Sequence, residues 1–136
     1  MAVTAIYIDT SVFLRACLSD ATDHAAARQL VTASDTPLVS SELLWLEADR
    51  AAVRLACKNP EWAALPQQVT NTLTNIGMIP LTRAIIADAR RIPQTVKALD
   101  AIHIASAETL GTALAFVATS DKSMIHVLNE RGLKTN

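Results

Sequence analysis

Short apolar runs alternate along this chain with longer segments in which apolar residues recur every three or four positions. The short runs predict buried strands at residues 5–8, 37–40, 77–81 and 114–118. The longer segments predict helices at residues 11–18, 25–35, 41–58, 61–75, 82–92, 97–110 and 121–131. Strands that alternate with helices predict an α/β fold, a three-layer α/β/α sandwich around a central parallel sheet of four or five short strands.

Polar residues and prolines mark the expected ends of these elements. Thr10 and Ser11 are expected to cap the first helix, and Ser40 or Ser41 the third, with Glu42 close to its positive end. Pro66 lies inside the segment 61–75, so that segment is either one helix or two. Residues 132–135 have the composition of a short fifth strand at the sheet edge.

The composition is that of a single globular domain spanning residues 1–136. The chain is 51% hydrophobic with a mean hydropathy of +0.27, which allows a well-buried core. Its formal net charge is −1, so any binding of nucleic acid must depend on local basic patches. The two cysteines lack metal-site spacing, and neither a signal peptide nor a membrane span is apparent. We therefore expect a cytoplasmic protein that does not associate with membranes.

Four acidic residues occupy positions where a carboxylate is conspicuous. Asp9 comes directly after a predicted buried strand, and Asp121 follows another at its carboxyl end, after Thr119 and Ser120. Asp100 and Glu47 lie in strongly apolar helical segments. Ligands of open α/β sheets bind at the carboxyl ends of the strands, so these acids can meet in one cleft. Carboxylates without cysteine or histidine partners suit hard cations, chiefly Mg²⁺ or Mn²⁺.

Each acid also has a purely structural interpretation. Asp9, Asp121 and Asp100 can act as helix N-caps, and Glu47 can pair with Arg50 or Arg54 on a solvated helix face. His103 follows Asp100 by three residues, and packing or simple hydrogen bonding explains it better than a role as general base, because no nucleophile is evident nearby. The residues alone leave both interpretations open.

The segments that carry the acids resemble those of the PIN-domain nucleases, and more narrowly the VapC-type toxins of toxin–antitoxin pairs. The resemblance rests on motif order, spacing and length, and its most specific part is residues 99–107, Leu-Asp-Ala-Ile-His-Ile-Ala-Ser-Ala. The family's four acidic positions fall on Asp9, Glu47, Asp100 and Asp121. Its supporting hydroxyl groups fall on Thr10 or Ser11 and on Thr119. One departure is Lys122, since the family often has its basic residue one position further from the last aspartate.

The resemblance implies an endoribonuclease that depends on Mg²⁺ or Mn²⁺ and cleaves structured RNA such as tRNA or rRNA. Asp9, Glu47, Asp100 and Asp121 would be both catalytic residues and metal ligands, and metal-activated water would leave a 5′-phosphate and a 3′-hydroxyl. It also implies inhibition by a cognate antitoxin and assembly into a homodimer. The basic residues that share a helix face with Glu47 or follow Asp121 are candidates for RNA binding: Arg50, Arg54, Lys58 and Lys122.

Other functions fit parts of the same pattern. A non-catalytic PIN-like module that binds RNA or protein would need none of the acids. A phosphoryl-transfer enzyme with Asp9 as nucleophile usually has a second acid two residues later, where this chain has Ser11. Trp45 and Leu46 lie on a helix with apolar residues on more than one face, so they belong either to the core or to a contact with a partner.

Overall fold

Residues 3–136, which the computed structural model describes, form a four-stranded parallel sheet in the order β3-β2-β1-β4. The strands are β1 (Ala5–Ile8), β2 (Leu38–Ser41), β3 (Gly77–Ile79) and β4 (Leu114–Ala118). The predicted α/β class and parallel sheet are therefore confirmed.

Helices cover both faces of this sheet. They are α1 (Thr10–Cys17), α2 (His24–Ala33), α3 (Leu43–Lys58), α4 (Leu65–Leu73), α5 (Arg83–Arg90), α6 (Ala98–Glu108) and α7 (Lys122–Glu130). Two short 3₁₀ turns occur at Pro60–Trp62 and Gly111–Ala113. None of the helices formed by residues 3–136 is both long enough and apolar enough to cross a membrane.

The central strand β1 separates two hydrophobic cores because its side chains point alternately to opposite faces. Ile6 and Ile8 pack with buried residues of α1, α2, α3 and α4. Tyr7 points the other way and packs with Ile104 of α6 and with residues of α7. This division gives the predicted three-layer sandwich, and it explains why all of β1 is buried.

The pairing of β1 with β4 sets two chain segments side by side at the carboxyl edge of the sheet. Ile8 pairs with Ala118, so Asp9 and Thr119 both leave the sheet at that point. On the outer side of β4, Thr135 makes one parallel bridge to Val117. The predicted fifth strand is thus reduced to a single bridge.

Two predicted helix starts are wrong, and the structure decides the alternative left open for residues 61–75. Residues 61–75 do not form one helix, because Pro66 lies in the first turn of α4, where its missing N–H costs nothing. Helix α1 begins at Thr10, and Asp9 rather than Thr10 or Ser11 is its cap. Helix α3 begins only at Leu43, with Ser41 Oγ accepting a hydrogen bond from the Leu43 amide at 3.1 Å.

Glu42 also differs from its expected role at the start of α3. Its Oε1 accepts a hydrogen bond from the Leu81 amide at 2.7 Å, and its own amide donates to the Ile79 carbonyl. Glu42 therefore connects the start of α3 to the segment that follows β3.

Candidate active site

Asp9 stands at the carboxyl end of β1, and only 4% of its surface is exposed. Its Oδ1 accepts hydrogen bonds from Ser11 Oγ at 2.6 Å and from the Val12 amide at 3.1 Å. Its Oδ2 accepts a hydrogen bond from Thr119 Oγ1 at 2.5 Å. A buried carboxylate needs such donors, and these fix its orientation at the sheet edge.

Hydroxyl groups join the end of β1 to the end of β4. Ser11 Oγ donates to Asp9 and accepts from the Ser120 amide at 3.1 Å. Thr119 Oγ1 donates to Asp9 and accepts from the Asp121 amide at 3.1 Å. Asp9 and Asp121 consequently share one hydrogen-bonded framework, which Ser11 and Thr119 supply.

Asp121 caps helix α7 through its side chain. Its Oδ1 accepts from the Ser123 hydroxyl at 2.7 Å and from the Ser123 and Met124 amides at 2.9 and 3.3 Å. The hydroxyl hydrogen bond from Ser123 is the largest cause that holds the pKa of Asp121 below its usual value. The capping interpretation is thus confirmed for Asp9 and Asp121, and it is compatible with a place in an acidic cleft.

Asp100 lies in the first turn of α6 and faces the same edge of the sheet. Lys97 is the N-cap of this helix, so the capping interpretation is wrong for Asp100. Partial burial is the largest cause that raises the pKa of Asp100, and the negative charges of Asp121 and Asp9 raise it further. Such mutual repulsion means that three acidic side chains are close enough to act on one another, as the sequence predicts.

Glu47 reaches this edge from α3, with 23% of its side chain exposed. Its Oε1 accepts hydrogen bonds from Thr10 Oγ1 at 2.7 Å and from His103 Nε2 at 2.8 Å. Partial burial acts to raise the pKa of Glu47, but the hydrogen bonds from His103 and Thr10 outweigh it and lower the pKa. The alternative in which Glu47 pairs with Arg50 or Arg54 is wrong, because its carboxylate is hydrogen-bonded to His103 and Thr10 instead.

His103 is buried, with 2% of its surface exposed, and it is hydrogen-bonded at both ring nitrogens. Its Nδ1 lies 2.7 Å from the Tyr7 hydroxyl, which accepts a hydrogen bond from the Ser41 amide at 3.1 Å. Tyr7 is a residue that sequence reasoning missed. The feature that could have identified it is a tyrosine inside an otherwise apolar buried strand, because a buried tyrosine hydroxyl needs a hydrogen-bond partner.

The donor set at this edge fits a hard divalent cation in its chemistry. Asp9, Asp100, Asp121 and Glu47 offer only carboxylate oxygens, and the pKa of Asp100 is raised first by partial burial and then by the negative charges of Asp121 and Asp9, which a cation would offset. Within residues 3–136, however, no three acidic, histidine or cysteine side chains converge closely enough to hold one ion directly. The residues therefore fit a metal held in part through water, as Mg²⁺ commonly is.

The structure leaves the predicted RNA-binding residues on the surface. Arg50, Arg54, Lys58 and Lys122 are all exposed, and the first three lie on α3 beyond Glu47. Lys97 lies near the acids, because its positive charge acts to lower the pKa of both Asp100 and Asp121.

A cleft of about 440 Å³ lies between α1, α2 and α7, and none of the four acids lines it. Its walls include Arg15 of α1 and Lys122 of α7, together with Thr119 and Ser120 at the end of β4. Arg15 also contacts Asp23 at 3.5 Å, so part of its charge is already compensated. Lys122 therefore borders a cleft whose wall includes Thr119 and Ser120, next to Asp121 in the chain, whereas Arg50, Arg54 and Lys58 lie on α3 beyond Glu47.

The parallel α/β/α sandwich places these acids at the carboxyl edge of β1 and β4, the edge at which open α/β sheets bind ligands. The PIN domain family model matches residues 6–128. The chain therefore belongs to the PIN domain family. The comparison with curated protein sequences finds no match.

Two solved structures share this fold. VapC20 of Mycobacterium tuberculosis, a sarcin–ricin loop cleaving toxin, is 16% identical, covers 94% of this chain and 95% of its own, and has a TM-score of 0.68. VapBC2 of Rickettsia felis, bound to a DNA fragment from its promoter, is 10% identical and covers 98% of both chains with a TM-score of 0.69. At these identities the similarity establishes the fold.

Proposed function

We propose that this protein is an endoribonuclease toxin of the VapC type that depends on Mg²⁺ or Mn²⁺. The observation that carries the proposal is that Asp9, Asp100 and Asp121 lie at one edge of the sheet, close enough for the charges of Asp121 and Asp9 to add to partial burial in raising the pKa of Asp100. Membership of the PIN domain family and the VapC structures of the same fold support it.

Asp9, Asp100 and Asp121 would hold the ion, directly or through water, with Glu47 beside them. The bound ion would lower the pKa of a water molecule and neutralise charge on the scissile phosphate. The protein's own hydroxyl groups fix the acids: Ser11 and Thr119 orient Asp9.

Glu47 occupies the α3 side of the cleft. Thr10 donates to its Oε1, so this carboxylate is also held in one orientation. Glu47 would orient the attacking water or share in holding the ion, and cleavage would leave a 5′-phosphate and a 3′-hydroxyl.

RNA must reach an acidic cleft on a protein of net charge −1. The exposed side chains of Arg50, Arg54 and Lys58 recur at helical spacing after Glu47, so they would contact phosphates along α3. Lys122, at the start of α7, would contact phosphates on the other side of the cleft.

An exposed apolar surface on α3 supports the proposal of partner proteins. Trp45 and Leu46 are 49% and 61% exposed, so their assignment to the core is wrong. Trp45 borders a shallow cavity of about 220 Å³ between α3 and α4. We assign this surface to contacts of a homodimer or of the cognate antitoxin, because large exposed apolar side chains are typical of interaction sites.

The test is incubation of the purified protein with tRNA, with rRNA and with a sarcin–ricin loop oligonucleotide, in Mg²⁺, in Mn²⁺ and in EDTA, followed by mapping of the cut ends. We expect cleavage only with a metal, 5′-phosphate ends, and loss of cleavage in Asp9→Asn. Asp49→Asn is the matched control, because Asp49 is an exposed aspartate on α3. Equal cleavage by wild type and Asp9→Asn would contradict the proposal.

A non-catalytic PIN module that binds RNA or protein is the second candidate. The observation in its favour is that no three potential ligands among residues 3–136 converge on one ion. It predicts RNA binding that neither Mg²⁺ nor Mn²⁺ affects, with no cleavage of any RNA offered.

A further inference from the structure

A chain of buried hydrogen bonds leads from the backbone of β2 to the carboxylate of Glu47. It runs from the Ser41 amide to the Tyr7 hydroxyl at 3.1 Å, from Tyr7 to His103 Nδ1 at 2.7 Å, and from His103 Nε2 to Glu47 Oε1 at 2.8 Å. Its members come from β2, β1, α6 and α3, so it connects four elements.

The carboxylate at one end and the backbone amide at the other set the direction of this chain. Ionised Glu47 can only accept, so His103 Nε2 carries the proton that is donated to Oε1. The Ser41 amide can only donate, so the Tyr7 hydroxyl accepts there and keeps its own proton, which an unprotonated Nδ1 can accept. The Nε2–H tautomer of His103 satisfies all three hydrogen bonds.

Burial leaves the two rings little freedom to change this arrangement. Tyr7 is fully buried, and 2% of the surface of His103 is exposed. Their rings meet edge to face, with centroids 5.8 Å apart and an interplanar angle of 76°. His103 is therefore oriented by packing as well as by hydrogen bonds.

Glu47 projects from α3, with 23% of its side chain exposed. Its Oε1 accepts both the His103 and the Thr10 hydrogen bonds. Its Oε2 makes no hydrogen bond to any of residues 3–136 and is left available to a ligand on the exposed part of the side chain. Orienting groups of this kind usually determine how well a carboxylate can serve a metal site.

We propose that His103, held as the Nε2–H tautomer by Tyr7, is a positioning residue that fixes Glu47 Oε1 and directs Glu47 Oε2 into the cleft. The inference deepens the proposed nuclease function and rests on it. Helix α6 then serves the site twice, since it carries Asp100 and, one turn later on the same face, His103. Tyr7 is the residue that selects the tautomer.

The first measurement is ¹⁵N NMR of the histidine rings in the wild-type protein, with and without Mg²⁺. We expect the Nδ1 shift of His103 to be that of an unprotonated nitrogen and the Nε2 shift that of a protonated one. A doubly protonated ring or a proton on Nδ1 overturns the inference. No substitution is needed, so folding of a variant does not limit this measurement.

The second measurement compares Mn²⁺ affinity by calorimetry with kcat and KM for RNA in three variants. His103→Leu should weaken Mn²⁺ binding and lower kcat by about 10- to 100-fold, with KM for RNA unchanged. His103→Gln should retain most of both, because its amide can donate to Glu47. Tyr7→Phe should lie between them, because it keeps the ring but removes the hydroxyl that selects the tautomer.

His126→Leu is the matched control, because His126 forms a 2.6 Å contact with Glu130 on the exposed side of α7. It should leave Mn²⁺ affinity and kcat unchanged. Wild-type values in folded His103→Leu, or equal losses in His103→Gln and His103→Leu, overturn the positioning role. A different result would contradict the proposed nuclease function: wild-type protein that neither binds Mn²⁺ nor cleaves RNA. That result would overturn the positioning role as well.

Discussion

Glu47 and His103 meet at 2.8 Å across the carboxyl edge of the sheet, although their helices pack on opposite faces of it. Helix α3 contributes Leu44, Ala48 and Ala52 to one core, whereas α6 contributes Ile104 and Ala107 to the other. The contact therefore joins the two helical layers at the point where Asp9 leaves β1. A catalytic site at this edge is assembled from both layers.

The hydroxyl of Thr119 should be needed for the site because it donates to Asp9 Oδ2 and accepts from the Asp121 amide. Thr119→Val keeps the side-chain shape and removes both hydrogen bonds. We expect it to cost about 1–3 kcal/mol of unfolding free energy and to weaken Mn²⁺ binding by about 10- to 100-fold. Denaturant unfolding and calorimetry measure the two effects.

Thr119→Ser retains the hydroxyl and is the control for this substitution. It should keep Mn²⁺ affinity near that of the wild type. If Thr119→Val binds Mn²⁺ as tightly as Thr119→Ser does, the hydroxyl has no part in shaping the metal site.

Asp100 should make the metal-free protein less stable as the pH rises. Its pKa is raised on folding, so the folded state binds more protons than the unfolded state between the two pKa values, and stability falls as pH increases through that window. Asp100→Asn should therefore raise the melting temperature of the metal-free protein at neutral pH, and this gain should disappear in acid.

Mn²⁺ should stabilise the wild type but not Asp100→Asn. It should raise the melting temperature of the wild type, because a ligand that binds the folded state stabilises it, and should have little effect on Asp100→Asn. Asp49→Asn, on an exposed surface of α3, should behave as the wild type in both respects. A melting temperature that Asp100→Asn leaves unchanged without metal would show that neither partial burial nor the neighbouring acids make the Asp100 charge costly.

The basic residues of α3 should supply affinity for RNA. The triple substitution of Arg50, Arg54 and Lys58 by Gln should raise KM for RNA with little change in kcat. Because each lost phosphate contact reduces counterion release, the slope of log K against log salt should become shallower by about 0.7 per contact. Fluorescence anisotropy with labelled RNA at several salt concentrations gives this slope.

Arg83→Gln with Arg90→Gln is the control for charge alone, since both residues are exposed on α5. Its salt slope should equal that of the wild type. Equal slopes for the control and for the α3 variant would assign RNA binding to another surface.

Trp45 and Leu46 should contribute to binding of a protein partner. Replacing both with Ala should weaken self-association or antitoxin binding by about 10-fold or more, because large apolar anchors dominate interfaces. Ile86→Ala, which truncates an apolar side chain that is 42% exposed on α5, is the control. Sedimentation velocity with and without antitoxin measures both, and unchanged association in the double variant would place the partner elsewhere.

The sequence predicted the sheet because the signals of its strands are local. The run at Ala5–Ile8 is apolar throughout, and a polar residue follows each of β1 and β4 at the edge where ligands bind. The resemblance of residues 99–107 to one family then gave Asp100 its place beside Asp9. These inferences used only the composition of short segments and the order of residues and motifs along the chain.

Side-chain partners from distant elements could not be predicted in the same way. Glu47 and His103 are 56 residues apart and Tyr7 and His103 are 96 apart, and no periodicity of the chain signals such contacts. The choice of Asp9 as the cap of α1 could not be made from the sequence, because Thr10 and Ser11 are equally good capping residues by type. In the structure Asp9 Oδ1 makes the capping bond, while Thr119, just beyond β4, donates to Oδ2.

The most direct test of the account is a comparison of Mn²⁺ binding with Mn²⁺-dependent cleavage of one defined RNA. The wild type should show a half-maximal Mn²⁺ concentration for cleavage equal to its calorimetric Kd, and Asp9→Asn should lose both binding and cleavage. Cleavage that persists in EDTA, or that Asp9→Asn retains at the wild-type rate, would contradict a metal-dependent active site at the end of β1.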